Sequence, residues 1–244
     1  MSRRGWFVLG GVLGVVCLVV VALVLVAHSS GTDNGTTTRC PKGQVYVDQG
    51  DCPQCFRGCA SGPVKPIIYL YPQVTTDVDV RLSAPDRFTA QYPPYGDGWH
   101  VRAEPDGTLT DLATGRELYA LYYESRTERY PRTSEGFVVP GAQTSEFFED
   151  VLPRLGLSPR EAQEFIVYWL PRLQDNPYTY IRFAPADEIA ADQALTITPR
   201  PDTVIRVMMV YERLDAPVAV TEQQITTVSR TGFTVVEWGG TPAR

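Results

Sequence analysis

The chain has 244 residues, 43% of them hydrophobic and 20% charged, with 28 acidic against 22 basic side chains. That length holds one large domain or two small ones, and that composition is ordinary for a chain that buries a core. No stretch clusters Lys and Arg, so nucleic acid and anionic surfaces are not expected as partners.

The apolar residues are unevenly spread. Residues 6–27, WFVLGGVLGVVCLVVVALVLVA, contain no charge. As a helix they would span about 33 Å, enough for a bilayer core of about 30 Å, and a helix satisfies its own backbone inside lipid. Arg3 and Arg4 precede the run, and Gly, Ser, Thr and Asn follow it. The positive-inside rule then places the N-terminus in the cytoplasm and everything after His28 outside, in a single pass. A cleaved signal peptide is the competing reading, but its apolar region is usually about 7–15 residues long. Leu25 also matches poorly the small residue that cleavage after Ala27 would prefer. The expected organisation is a cytoplasmic tail (1–5), a transmembrane helix (6–27) and a flexible linker (28–38). A cysteine-rich module (39–62) and an extracytoplasmic domain (63–244) follow. Without Arg3 and Arg4 the outer part keeps 20 basic against 28 acidic groups, a net charge of −8, and its only lysines are Lys42 and Lys65.

Four cysteines lie beyond the apolar run, Cys40, Cys52, Cys55 and Cys59, spaced C-x11-C-x2-C-x3-C. A zinc ribbon wants two matched C-x2-C pairs, and one is present. A redox C-x2-C works from a helix N-terminus, and Gly58, Gly62 and Pro63 leave no room for a helix. An even number of thiols in an oxidising compartment favours two disulfides, each stabilising by about 2–4 kcal/mol. All three pairings stay open, with a tight Cys52–Cys55 ring the least favoured.

Within the main domain, IIYLY (67–71) is a continuous apolar run between prolines and reads as a strand buried on both faces. In DVDVRL (77–82), Val78, Val80 and Leu82 alternate with charged residues, as in a half-exposed strand. GWHVRAE leads into Pro105-Asp106-Gly107, a tight-turn sequence, and TLTDL and ELYALYYES continue a meander whose short turns imply antiparallel pairing. A short helix is expected over 145 to about 152. A second starts at Ser158-Pro159-Arg160-Glu161, with Ser158 as N-cap and Glu161 closing a capping box. Its residues Ala162, Phe165, Ile166, Trp169 and Leu173 share one face, Phe165, Tyr168 and Trp169 read as core, and Pro171 is expected to limit its run. The two helices are expected to form a hairpin across Gly156. Strands return at YTYIRF, ALTIT, TVIRVMMVYERL and GFTVVEW. The fold class is α+β: an antiparallel, β-rich extracytoplasmic domain with a helical hairpin, preceded by one N-terminal transmembrane helix.

The phrases KPIIYLYP (65–72), YPPYGDGWHVRAEPDGTL (92–109), PDTVIRVMMV (201–210) and GFTVVEWGG (232–240) together resemble a group of microbial envelope proteins with no established activity. The resemblance implies a single unit over residues 65–240 and transfers no catalytic residue. The cysteine module lies outside it.

Histidine is scarce: His28 borders the apolar run and His100 is alone in the domain, so no His-dependent nucleophile triad or His-rich metal site is expected. No cofactor fingerprint is present. Carboxylates remain. Phe233, Val235 and Glu237 share one strand face, and Val204, Arg206, Met208 and Val210 share another. A charge in an apolar row is costly unless paired, so Arg206 and Glu237 are expected to meet as a partly buried pair. The competing role for Glu237 is catalytic, with Glu124 as the second acid of a carboxylate-dependent glycan hydrolase. A ligand-binding candidate is the Pro/Gly-rich loop bearing Tyr92, Tyr95, Asp97 and Trp99, whose rings could meet a sugar or peptide and whose carboxylate could accept from a hydroxyl. The leading expectation is a membrane-anchored protein that binds or scaffolds a cell-wall glycan or envelope protein at the surface, with no catalytic residue.

Overall fold

Period-two alternation sets the sheet face that each side chain enters, and in this chain both faces are used. The computed structural model describes residues 44–47, 54–57, 64–127 and 130–243. The chain divides into two units, residues 1–57 and 58–244. In the first, β1 (Gln44–Val47) pairs antiparallel with β2 (Gln54–Arg57), Tyr46 opposite Cys55. The apolar run 6–27 and Cys40, Cys52 and Cys59 lie outside the described residues, so the anchor and disulfide expectations do too. Among the described residues no helix is long and apolar enough to cross a membrane.

The second unit is β-rich with few helices, an α+β arrangement. Its first strands are β3 (Val64–Tyr71), β4 (Thr76–Leu82), β5 (Phe88–Tyr92) and β6 (Trp99–Ala103). The short β7 (Leu109–Asp111) and β8 (Glu117–Leu118) precede β9 (Leu121–Ser125) and β10 (Glu135–Pro140). Helices α1 (Thr144–Arg154) and α2 (Pro159–Leu173) follow, then β11 (Tyr178–Phe183) and a short α3 (Ala186–Asp192). The unit closes with β12 (Leu195–Thr198), β13 (Thr203–Leu214), β14 (Thr221–Glu222) and β15 (Thr234–Pro242).

These strands build two sheets, ordered β14-β10-β11-β13-β15-β3-β9-β5 and β12-β4-β6-β7-β8. The large sheet is the middle layer. Ile205, Val207, Met209, Val236 and Trp238 enter one face and pack against Phe148 of α1 and Phe165 and Trp169 of α2. The alternate residues Ile68, Leu70, Tyr123 and Val235 enter the other and meet Val78, Val80, Trp99 and Val101 of the small sheet. The sequence pattern of each strand thus fills two cores at once.

Pairing departs from the expected all-antiparallel meander. β13 and β15 run parallel at the centre of the large sheet, and β14 adds to β10 in parallel. Central parallel strands are buried on both faces, as β15 is along almost its whole length. The connecting residues 215–233 contain no helix, so the helical periodicity that usually announces a crossover is missing.

Ser158 caps α2 as expected: its hydroxyl accepts from the Glu161 amide, and the Glu161 carboxylate accepts from the Ser158 amide. Phe148 and Phe165 lock α1 to α2 edge-on, ring centres 5.2 Å apart. Pro171 sits inside the last turn rather than ending the helix, because burial of Trp169 and Leu173 outweighs the hydrogen bond it removes. Where β10 no longer pairs with β11, the Gln223 side chain takes over the hydrogen bonding. Its amide donates to the Phe183 carbonyl at 2.7 Å and its oxygen accepts from the Phe183 amide at 2.8 Å.

Candidate functional site

The Pro/Gly-rich loop separates its four candidate residues. Gly96 and Gly98 take positive φ and fold the segment back so that Tyr95 and Trp99 enter the inter-sheet core. Their rings meet edge-on at 4.9 Å, and Phe88 closes on Tyr95 at 5.0 Å. Their polar ends are engaged as well: Tyr95 accepts from the Leu82 amide at 2.7 Å, and the Trp99 indole donates to the Pro93 carbonyl at 2.9 Å. Tyr92, 46% exposed, and Asp97 are left to solvent. The Tyr92 hydroxyl accepts from Arg116 at 3.1 Å, and Asp97 lies 3.5 Å from His100 Nε2. The loop therefore offers one ring and one carboxylate, not an aromatic platform.

Arg206 and Glu237 stand opposite each other in the parallel β13–β15 register. The Arg206 Nε donates to Glu237 Oε2, and the Tyr123 hydroxyl donates to Oε1 at 2.6 Å. The side chains keep only 8% and 2% of their exposure. Burial opposes the charge on Arg206, but the field and hydrogen bond of Glu237 outweigh it and hold the guanidinium pKa above its ordinary value. Burial first, and then Glu237, push the Tyr123 hydroxyl far up. Glu124 points the other way. Leu121, Tyr123 and Ser125 of β9 face away from the helices, so Tyr122 and Glu124 occupy the helix side. The two acids named for a hydrolytic pair thus lie on opposite faces of one sheet, and one of them is sealed.

A different set of side chains converges at the corner between α2 and the strands it leaves uncovered. Arg160, Glu164, Tyr168 and Arg172 recur every four residues and form one stripe along α2. Alternation in β3 brings Lys65, Tyr69 and Tyr71 to the same side. The Tyr69 hydroxyl donates to Glu164 Oε2 at 2.5 Å, and Arg160 reaches Glu164 Oε1 at 3.3 Å. Arg160 also lies 5.5 Å from the ring centre of Tyr119, which is 51% exposed. The Lys65 ammonium sits 4.7 Å from the Tyr168 ring and 5.1 Å from the Trp238 ring, and the Arg172 guanidinium lies 3.8 Å from Tyr168. Each such contact is worth about 0.5–2 kcal/mol, more where water is excluded.

Lys65 is held unusually. Its φ of 55° is the one positive value at a non-glycine among the described residues, a conformation that costs about 1–3 kcal/mol and persists where its surroundings dictate it. Burial lowers its pKa; Glu164 raises it in part and Arg172 lowers it further. Around it the phenols are held protonated: burial, then Glu164, raises Tyr69, and burial, then Glu124, raises Tyr122. Burial likewise raises Tyr168, and Tyr211 reaches about 12. The corner is therefore a half-buried set of donors, rings and cations, suited to holding a polar ligand. Among the described residues no group of three or more His, Cys, Asp or Glu could hold a metal ion.

In the sequence Lys65 stands out only within KPIIYLYP and as one of two lysines, and Tyr168 reads as core, against which it does pack, half-buried. The four-residue recurrence of Arg160, Glu164, Tyr168 and Arg172 was the available signal, since a charged and aromatic stripe beside an apolar face borders a surface rather than a core. No family model matches the chain, and neither does any curated protein or solved structure.

Proposed function

We propose that the chain is a single-pass membrane protein whose C-terminal domain faces outward and binds or scaffolds a component of the cell surface. The anchor reading rests on the uncharged run 6–27 behind Arg3 and Arg4. The binding reading rests chiefly on one observation. At the α2 corner polar and aromatic side chains lie side by side at the surface, whereas Glu237 is consumed by Arg206 and Tyr123. The resemblance to envelope proteins over residues 65–240 agrees with this placement.

The test is retention of the full-length chain, in mild detergent, on cell-wall and envelope fractions. Specific retention that falls when Tyr119 and Arg172 are replaced by Ala is expected. No retention by any fraction overturns the binding reading. For the topology, a reporter fused at the C-terminus that becomes active in the cytosol overturns the outward placement.

A further inference from the structure

The α2 corner has unequal charge pairing. Of its three cations, Arg160 has a carboxylate partner in Glu164, whose other oxygen is taken by the Tyr69 hydroxyl. Lys65 and Arg172 form no ion pair with any acid among the described residues. The Arg172 Nη1 donates to the Tyr168 carbonyl of its own helix, and the Lys65 ammonium has no hydrogen-bond acceptor there. Aromatic faces stabilise these cations but accept none of their N–H bonds with the strength of an anion. Lys65, Arg160 and Arg172 thus face two carboxylates, Glu164 and Glu124, and the corner is left one negative charge short.

We propose that this corner receives the carboxylate of an acidic sugar within a glycan, with Lys65 and Arg172 holding the carboxylate. The inference rests on the surface-binding reading and gives its ligand a chemistry. The guanidinium fork suits a carboxylate, and the ammonium adds a point charge beside it. Tyr119, 51% exposed, offers a ring face to the apolar side of a neighbouring sugar, and Glu124 at the same corner accepts from hydroxyls. The net charge of the outer part, −8, sets a limit. Two unpaired cations suffice for isolated carboxylates, while a dense polyanion is repelled by the remaining surface. The fitting polymer therefore alternates acidic and neutral sugars.

Affinity electrophoresis of the full-length chain in detergent tests this, through gels holding hyaluronate (one carboxylate per two sugars), polygalacturonate (one per sugar), dextran (none) or poly(glycerol phosphate). Hyaluronate should retard the chain most, and Lys65→Gln and Arg172→Gln should each weaken that retardation at least about ten-fold. Arg172 is exposed and outside both cores, so Arg172→Gln reports on binding even where Lys65→Gln disturbs folding, with thermal melting as the control. Equal retardation by dextran overturns the role of charge, and retardation by the phosphate polymer alone overturns the carboxylate. Undiminished binding by Arg172→Gln overturns the site. Retention on wall fractions without binding to any of these polymers sinks this inference and spares the broader reading; loss of both sinks the two together.

Discussion

A guanidinium and a carboxylate facing each other across two buried strands make Arg206 and Glu237 mutually dependent. Removing one partner leaves the other charged and desolvated, which costs about 3–5 kcal/mol, whereas replacing both with apolar residues of similar volume is often close to neutral. Glu237→Ala should therefore lower the urea midpoint strongly, and Arg206→Met combined with Glu237→Leu should recover most of it. A double variant as unstable as the single one would show that the pair itself, not the orphaned charge, holds the strands. His100 offers a second residue-scale test. Its Nδ1 contacts Asp79, and that hydrogen bond, with Asp97 adding to it, raises its pKa above the ordinary value of about 6.5. A raised folded-state pKa means that the contribution is complete below the unfolded value and fades as pH rises through the folded one. The site is open to water, so the effect on stability is small. An NMR titration of His100 should show its midpoint drop in Asp79→Asn; an unchanged midpoint would deny Asp79 its part.

Elements explain what was readable in advance. The capping box at Ser158–Glu161 was visible because its chemistry is local, and so were the alternating strands β4 and β6. α3 and β10 were not seen: seven residues beginning Ala-Asp-Glu carry little helical periodicity, and β10 combines Gly136 with Pro140. The parallel β13–β15 pair escaped because long-range register leaves no local mark. Arg206 and Glu237 could be nominated because a charge in an apolar row demands a partner. Lys65 could not, because neither its φ nor the rings beneath it follow from its neighbours in sequence. One element-scale contact is tight enough to test. A Cβ on Gly240 would press into the Trp169 ring, so Gly240→Ala should force α2 to shift. Overpacking of this kind costs about 1–3 kcal/mol and should lower the melting temperature measurably. An unchanged melting temperature would mean that α2 slides freely on β15.

At the scale of the whole domain, protection follows position in the sheet. β13, β15 and β3 lie at the centre of the eight-stranded sheet, with side chains entering both cores, while β14 and β5 form its edges. Local openings need less free energy where fewer buried contacts break. Amide exchange should therefore be slowest in β13 and β15 and fastest in β14 and β5, and the reverse order would contradict the two-core arrangement. The same layering places the candidate site. The helices cover part of one sheet face, and the ledge they leave beside β9 is where Tyr119, Tyr122 and Glu124 meet the α2 stripe.

The amide of Gln223 against Phe183 has a consequence for molecules that crowd together. A sheet margin with free donors and acceptors invites a neighbouring molecule to continue the ladder, and polymers can grow that way. The edge strand β14 is two residues long, and where β10 no longer pairs with β11 the Gln223 side chain satisfies the Phe183 amide and carbonyl within the same chain. Gln223→Ala leaves those two groups without their partner and should shift sedimentation toward larger species as concentration rises, so one glutamine helps keep neighbours apart.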